Sequence, residues 1–141
     1  MGQFTEQQIE EVWNKGICDS RFDSKSVRKD ACGAWIIRNR FNDRNSPFGW
    51  EIDHIYPESR LKELGVPEDL RNDIINLRPL NWKNNVSKGA DYPHYQSKFK
   101  AGILKDHDGS ELDVNIDCMD EKEINDETQQ QITELFKGYR L

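Results

Sequence analysis

No run of apolar residues approaches the roughly 20 needed to cross a bilayer, so the sequence predicts no membrane span and no membrane partner. Cysteine is scarce. Cys18, Cys32 and Cys118 are odd in number and far apart, which argues against a disulfide scaffold and suits reduced thiols in a cytoplasm. No C-x-x-C pair, internal repeat or low-complexity segment occurs. Met1-Gly2-Gln3-Phe4-Thr5-Glu6 lacks the basic-then-apolar order of a signal peptide, and the residues after Gly2 fit a myristoylation pattern poorly.

A basic excess is missing too. The net charge is −6, whereas proteins that bind nucleic acid usually carry a basic face. The imbalance is local. Residues 1–100 hold 16 Lys+Arg against 15 Asp+Glu, a balance of +1, and residues 101–141 hold 4 against 11, or −7. What is present suits one domain with a modest core: 141 residues, 35 % hydrophobic, with four Trp, four Tyr and six Phe.

Local patterns predict a helix over 5–15, with Thr5 as cap, Gln8 at the capping-box position, Ile9, Val12 and Trp13 on one face, and Gly16 as its stop. Residues 17–30 read as loop with a short turn near Val27. Residues 33–41 and 50–55 read as two strands around the polar turn 42–47, an antiparallel ribbon. A short helix is expected over 58–64, a turn opened by Pro67, an ordered loop over 76–80 and a helix over 81–88 ended by Gly89. Beyond it come a hairpin (99–105 and 112–116, turning at 106–109) and a helix over 126–137 with Ile132, Leu135 and Phe136 as its apolar face.

Chemistry is concentrated in Asp53-His54-Ile55, Asn76-Leu77 and Asn84-Asn85-Val86-Ser87-Lys88-Gly89. Asp is a hard anionic ligand, His a proton acceptor near neutral pH, and Asn a neutral oxygen ligand. Together they suggest metal-assisted phosphodiester cleavage. The order of these motifs resembles that of the HNH endonuclease family over residues 50–90, with a lead-in from about residue 28 that looks like that of small prokaryotic members.

The resemblance implies an α+β fold with a ββα-metal (HNH, His-Me finger) core, an N-terminal helix and a C-terminal hairpin–helix extension. Residues 1–141 would form a single domain, divided into 1–49, the core at 50–90 and the acidic extension 91–141. It implies His54 as general base, Asp53 and Asn85 as ligands of Mg²⁺ (or Mn²⁺), and Asn76 as a catalytic-site residue that mainly braces the loop carrying His54. Asn84 is the alternative to Asn85 as ligand. DNA would be the partner, with Arg78, Lys88, Arg38, Arg40 and Lys83 as the candidate phosphate contacts, and the source cytoplasmic, prokaryotic or phage-encoded. Cutting both strands would take a homodimer or sequential nicks.

Two departures matter. Asn81 and Asn84 stand where many members place a zinc-binding Cys pair, so no structural zinc is expected, and packing by Trp35, Phe48, Trp50, Leu80 and Trp82 would replace it. Residues 60–73 replace a short Gly-Gly turn, to shape substrate access or only to lengthen a loop. The acidic tail would be a solvated surface, contact the chain's own core or meet a basic partner. Two other readings stand beside the nuclease: a non-catalytic nucleic-acid- or protein-binding module, and an interaction protein.

Overall fold

The computed structural model describes residues 4–141. Gly2, on which the myristoylation argument rests, lies outside them. The order is α1 (Glu6–Trp13), β1 (Val27–Lys29), β2 (Trp35–Ile37), β3 (Trp50–His54), α2 (Glu58–Glu63), α3 (Glu68–Arg71), β4 (Leu77–Asn81), α4 (Trp82–Lys88), β5 (His94–Lys105), β6 (Glu111–Glu123) and α5 (Asp126–Leu135). The strands form three two-stranded antiparallel sheets, β1–β2, β3–β4 and β5–β6. The chain is thus a mixed α+β protein. Among the described residues no helix is long and apolar enough to cross a membrane.

The N-terminal helix forms for the expected local reasons. Thr5 Oγ1 accepts from the Gln8 N–H while Gln8 Oε1 accepts from the Thr5 N–H, and Ile9, Val12 and Trp13 are buried. The ribbon differs from the expected one. Residues 35–37 pair with 27–29, in the stretch read as loop, and β3 pairs with residues 77–81, also read as loop. Pro79 explains the second miss. It lacks an N–H, yet in a two-stranded ribbon it can turn that side to the free edge, and it stands opposite Ile52.

The ribbon's two faces have different neighbours. Trp50 and Leu77 join Ile9, Val12, Trp13 and Ile36 in one apolar cluster, with Ile52 against it. On the other face Leu80 joins Ile55, Tyr56, Leu61, Tyr95, Ile132 and Phe136. Strand alternation therefore sends Glu51 and Asp53 to the second face and His54 to the first. The chain leaves β4 straight into α4, whose N-cap is Asn81, and Gly89 ends that helix at φ +51°, a conformation other residues rarely adopt.

The tail is part of the core. Ile132 and Phe136 are completely buried against Tyr56 and its neighbours. The β5–β6 arm is longer than expected and is tied to the body by the Arg21–Asp113 ion pair and by Asn115, whose Nδ2 donates to the carbonyls of Trp35 and Pro47. Its tip exposes Ile103, Leu104 and Leu112.

At Asn81 and Asn84 the structure places a buried polar cluster in addition to the expected packing. Asp30, fully buried, accepts from the N–H groups of Cys32, Ala34 and Asn81 and from Asn84 Nδ2, all at 2.8–3.0 Å. Asn81 also donates to the Trp35 and Pro47 carbonyls. Asn84 bonds both the N–H and the C=O of Phe99. Burial raises the Asp30 carboxyl above its ordinary range, although its four donors pull the other way. Of the five residues named for packing, Trp35, Trp50 and Leu80 are buried core, Phe48 is half-buried, and the half-buried Trp82 donates its Nε1 to the Ser46 carbonyl.

The cysteines separate by environment. Burial, and then the nearby Asp30, push the Cys32 thiol up to about 12, with its sulfur 3.6 Å from the Tyr95 hydroxyl. Cys18 is exposed. Alkylation at pH 8 is expected to modify Cys18 readily and Cys32 only after denaturant is added, since the thiolate is the nucleophile. Peptide mapping of labelled protein checks this, and equal rates at the two would contradict the burial of Cys32.

Candidate active site

His54 ends β3 and is fixed at two points. Its carbonyl accepts from Lys88 Nζ at 3.2 Å, and its Nε2 lies 2.7 Å from Asn72 Oδ1. Glu58 Oε2 is 3.7 Å from the same nitrogen and is shared with Arg71 Nε at 3.4 Å. The Phe4 ring lies 6.0 Å from the imidazole, centroid to centroid. The His54 side chain keeps 15 % exposure, enough to be reached.

Asn76 is completely buried, and its amide is spent on backbone. Oδ1 accepts from the Tyr56 N–H, while Nδ2 donates to the carbonyls of Tyr56 and Arg71. Its main-chain carbonyl accepts from the Ile55 N–H. These bonds hold the turn after His54 against the turn before β4. Asn76 is a brace, with no polar atom left for a substrate.

Asp53 sits opposite Arg78 in the ribbon register. Arg78 Nε donates to Oδ2 at 2.8 Å, and Lys88 Nζ lies 3.2 Å from Oδ1. The side chains of Asp53 and Lys88 are 4 % and 0 % exposed. Burial lowers the Lys88 ammonium, which Asp53 opposes. Burial works against the Arg78 charge as well, but Asp53 and then Tyr95 outweigh it, and the guanidinium is held above its ordinary value. It also lies over the Tyr95 ring, 5.1 Å from the centroid.

Asn85 faces elsewhere. Its Nδ2 donates to Glu51 Oε1 at 2.9 Å, and Arg44 clamps Glu51 through Nε and Nη2. Arg44, Glu51, Asn85 and Asn42 line an open cleft of about 440 Å³ that reaches Phe4, and through it the neighbourhood of His54. The alternative ligand, Asn84, is buried with its amide fully engaged.

The donor set has the hard-oxygen chemistry of Mg²⁺, but its arrangement does not fit the ion. Asp53 and Asn85 have separate partners, and each Asp53 oxygen already faces a cationic side chain. Arg78 Nη2, buried and without a hydrogen-bond partner among the described residues, is a further donor beside this carboxylate and calls for an acceptor. A divalent cation at Asp53 would have to displace Lys88. Among the described residues no group of three or more His, Cys, Asp and Glu converges.

The candidate phosphate contacts divide by exposure. Arg78 and Lys88 are counter-charges to Asp53; Lys88 is completely buried and Arg78 keeps only 11 % exposure. Arg38 pairs with Glu10 and lies over Trp50, and Arg40 is half exposed beside Asp43. Lys83 is partly exposed over the Phe99 ring, near Asp117. His94 and His107 are exposed, as expected of solvated histidines. Glu58 and Asn72 carry no motif signal, and Glu51 stands in the Asp53-His54 segment without having been singled out. Only the spacing of Glu58, four residues after His54 at a helix start, could have pointed to one of them.

Compared with known proteins, the chain matches no family model, no curated protein and no solved structure.

Proposed function

We propose that this chain hydrolyses phosphodiester bonds in DNA as an endonuclease of HNH type, with a ββα core made of β3, β4 and α4 and with His54 as general base. The observation that carries the reading is the setting of His54. The imidazole stands at the end of the ribbon, bonded through one ring nitrogen and fixed through its backbone, and it neighbours Phe4, which also lines the cleft that holds the exposed cation Arg44. Around it Asp53, Asn76 and Asn85 follow in the order that the sequence resemblance requires. A neutral imidazole so placed can take a proton from an attacking water, worth ~10²–10⁴ in rate. Arg44, Asn42 and Asn85 would meet the phosphate in the cleft. Mg²⁺ is the ion the resemblance implies, but no step of this reading runs through it. A cytoplasmic site of action in a prokaryote or phage accompanies the reading.

A second reading is favoured by Asp53, whose two oxygens face Arg78 and Lys88. It is a binding module that keeps the fold and lacks cleavage. Supercoiled plasmid incubated with the protein in Mg²⁺, with and without chelator, separates the two. Conversion to nicked circles that His54→Ala abolishes supports the nuclease. Retarded but intact plasmid on a gel supports the module.

A further inference from the structure

The segment 58–73 does more than lengthen a loop. It folds as α2 and α3, and Asn72 caps the C-terminus of α3. Arg71 ties the segment together by reaching the Val66 carbonyl through Nη1 and Glu58 through Nε, while its own carbonyl accepts from Asn76. The outcome of this folding is one hydrogen bond on the His54 ring, the 2.7 Å bond between Nε2 and Asn72 Oδ1, with Glu58 Oε2 farther off at 3.7 Å.

Resting on the nuclease reading, we propose that Asn72 is the positioning residue of His54 and makes Nδ1 the basic atom. An amide oxygen only accepts hydrogen bonds, so Nε2 must carry the proton. A neutral imidazole has one N–H, and the lone pair is therefore left on Nδ1. Asn72 is uncharged and offers the same acceptor before and after proton transfer. Glu58, the nearest ionisable side chain to Nε2, is farther at 3.7 Å and is engaged by Arg71. Of His54, Lys88 bonds the main-chain carbonyl and not the ring.

In the reaction Nδ1 accepts one proton from water as the water oxygen forms its bond to phosphorus. The P–O bond to the leaving alcohol oxygen breaks with its electron pair, and that oxygen takes a proton from solvent. The resulting imidazolium keeps its Nε2–H on Asn72, so the ring does not turn during turnover. Orientation of this kind is where a small displacement costs most: a shift of about 1 Å can lower a rate ~10²-fold.

The test uses the full-length chain labelled with ¹⁵N. Long-range ¹H–¹⁵N correlation reports which imidazole nitrogen is protonated, and with three histidines in the chain assignment is direct. The wild-type His54 ring is expected to carry its proton on Nε2. Asn72→Leu removes the acceptor at similar volume and is expected to give a mixture of tautomers. It should also lower kcat for plasmid nicking by roughly 10²-fold with KM little changed. Asn72→Asp keeps an acceptor oxygen and should keep the wild-type tautomer even if Asn72→Leu does not fold. A wild-type ring protonated on Nδ1, or an Asn72→Leu protein with unchanged tautomer and kcat, overturns the assignment. The tautomer is read without cleavage, so a protein that binds DNA but never nicks it rejects the nuclease reading while the Asn72–His54 pairing is still decided.

Discussion

His54→Ala is expected to lower DNA cleavage by ~10²–10⁴ and to leave the fold standing. The two halves of this expectation rest on different contacts. The imidazole touches Asn72 through Nε2, comes near Glu58 and Phe4, and belongs to neither apolar cluster. The bond that anchors this end of β3 comes from Lys88 to the His54 main-chain carbonyl, which alanine keeps. Single-turnover nicking rates, with circular dichroism melting on the same samples, measure both halves. A folded variant that turns over like the wild type would remove His54 from the chemistry.

Asp30→Ala is expected to cost much of the protein's stability. Four donors converge on this carboxylate: three main-chain N–H groups and the amide of Asn84. Alanine leaves the three main-chain N–H groups buried and unpaired, each at a cost of about 1–3 kcal/mol, and takes from Asn84 Nδ2 one of its two acceptors. Removal of a buried charge offsets part of that. The remainder is still comparable with the whole stability of a domain, about 5–15 kcal/mol. Melting curves should show either no cooperative transition or one far below wild type. Asp30→Asn retains one acceptor oxygen and should fall between. A wild-type melting temperature for Asp30→Ala would mean that the cluster does not hold these segments together.

The sign of the pH dependence follows from the raised Asp30 carboxyl. The unfolded chain releases this proton first, in the ordinary carboxylate range, so the folded state binds more protons between that range and the raised value. Stability from this group is therefore greatest below the ordinary range and falls as pH rises through the window. The wild type should lose stability there relative to Asp30→Asn, which does not titrate.

The sequence exposed those parts of the fold that are decided locally. The Thr5–Gln8 capping box and the Gly89 stop need only neighbours within a few residues, and both were legible. The ribbon was not. Two apolar stretches around a polar turn suggested that 33–41 pairs with 50–55, whereas the partner of β3 lies across an intervening pair of helices. Pro79 further disguised that partner as loop. The site was half legible for a related reason. Asp53, His54, Asn76 and Asn85 stand in a recognisable order, but the order is silent about what meets them. Arg78 and Lys88 looked like surface charges because such residues are rarely buried unless paired, and here Asp53 supplies the pairing. Asn72 reaches the site through a tertiary contact that no spacing encodes.

The Asp30 cluster also has a consequence for how the protein is made. A chain that has left the ribosome only as far as residue 90 already holds every motif residue from Asp53 to Lys88. It lacks Phe99, whose peptide groups hold Asn84, and it lacks Ile132 and Phe136, which fill the core beneath Tyr56. The motif is complete in such a nascent chain long before it is rigid. Residues 50–90 are therefore not a self-contained folding unit: the contacts that hold α4 through Asn84 and fill the core beneath Tyr56 come from the last part of the chain to be made.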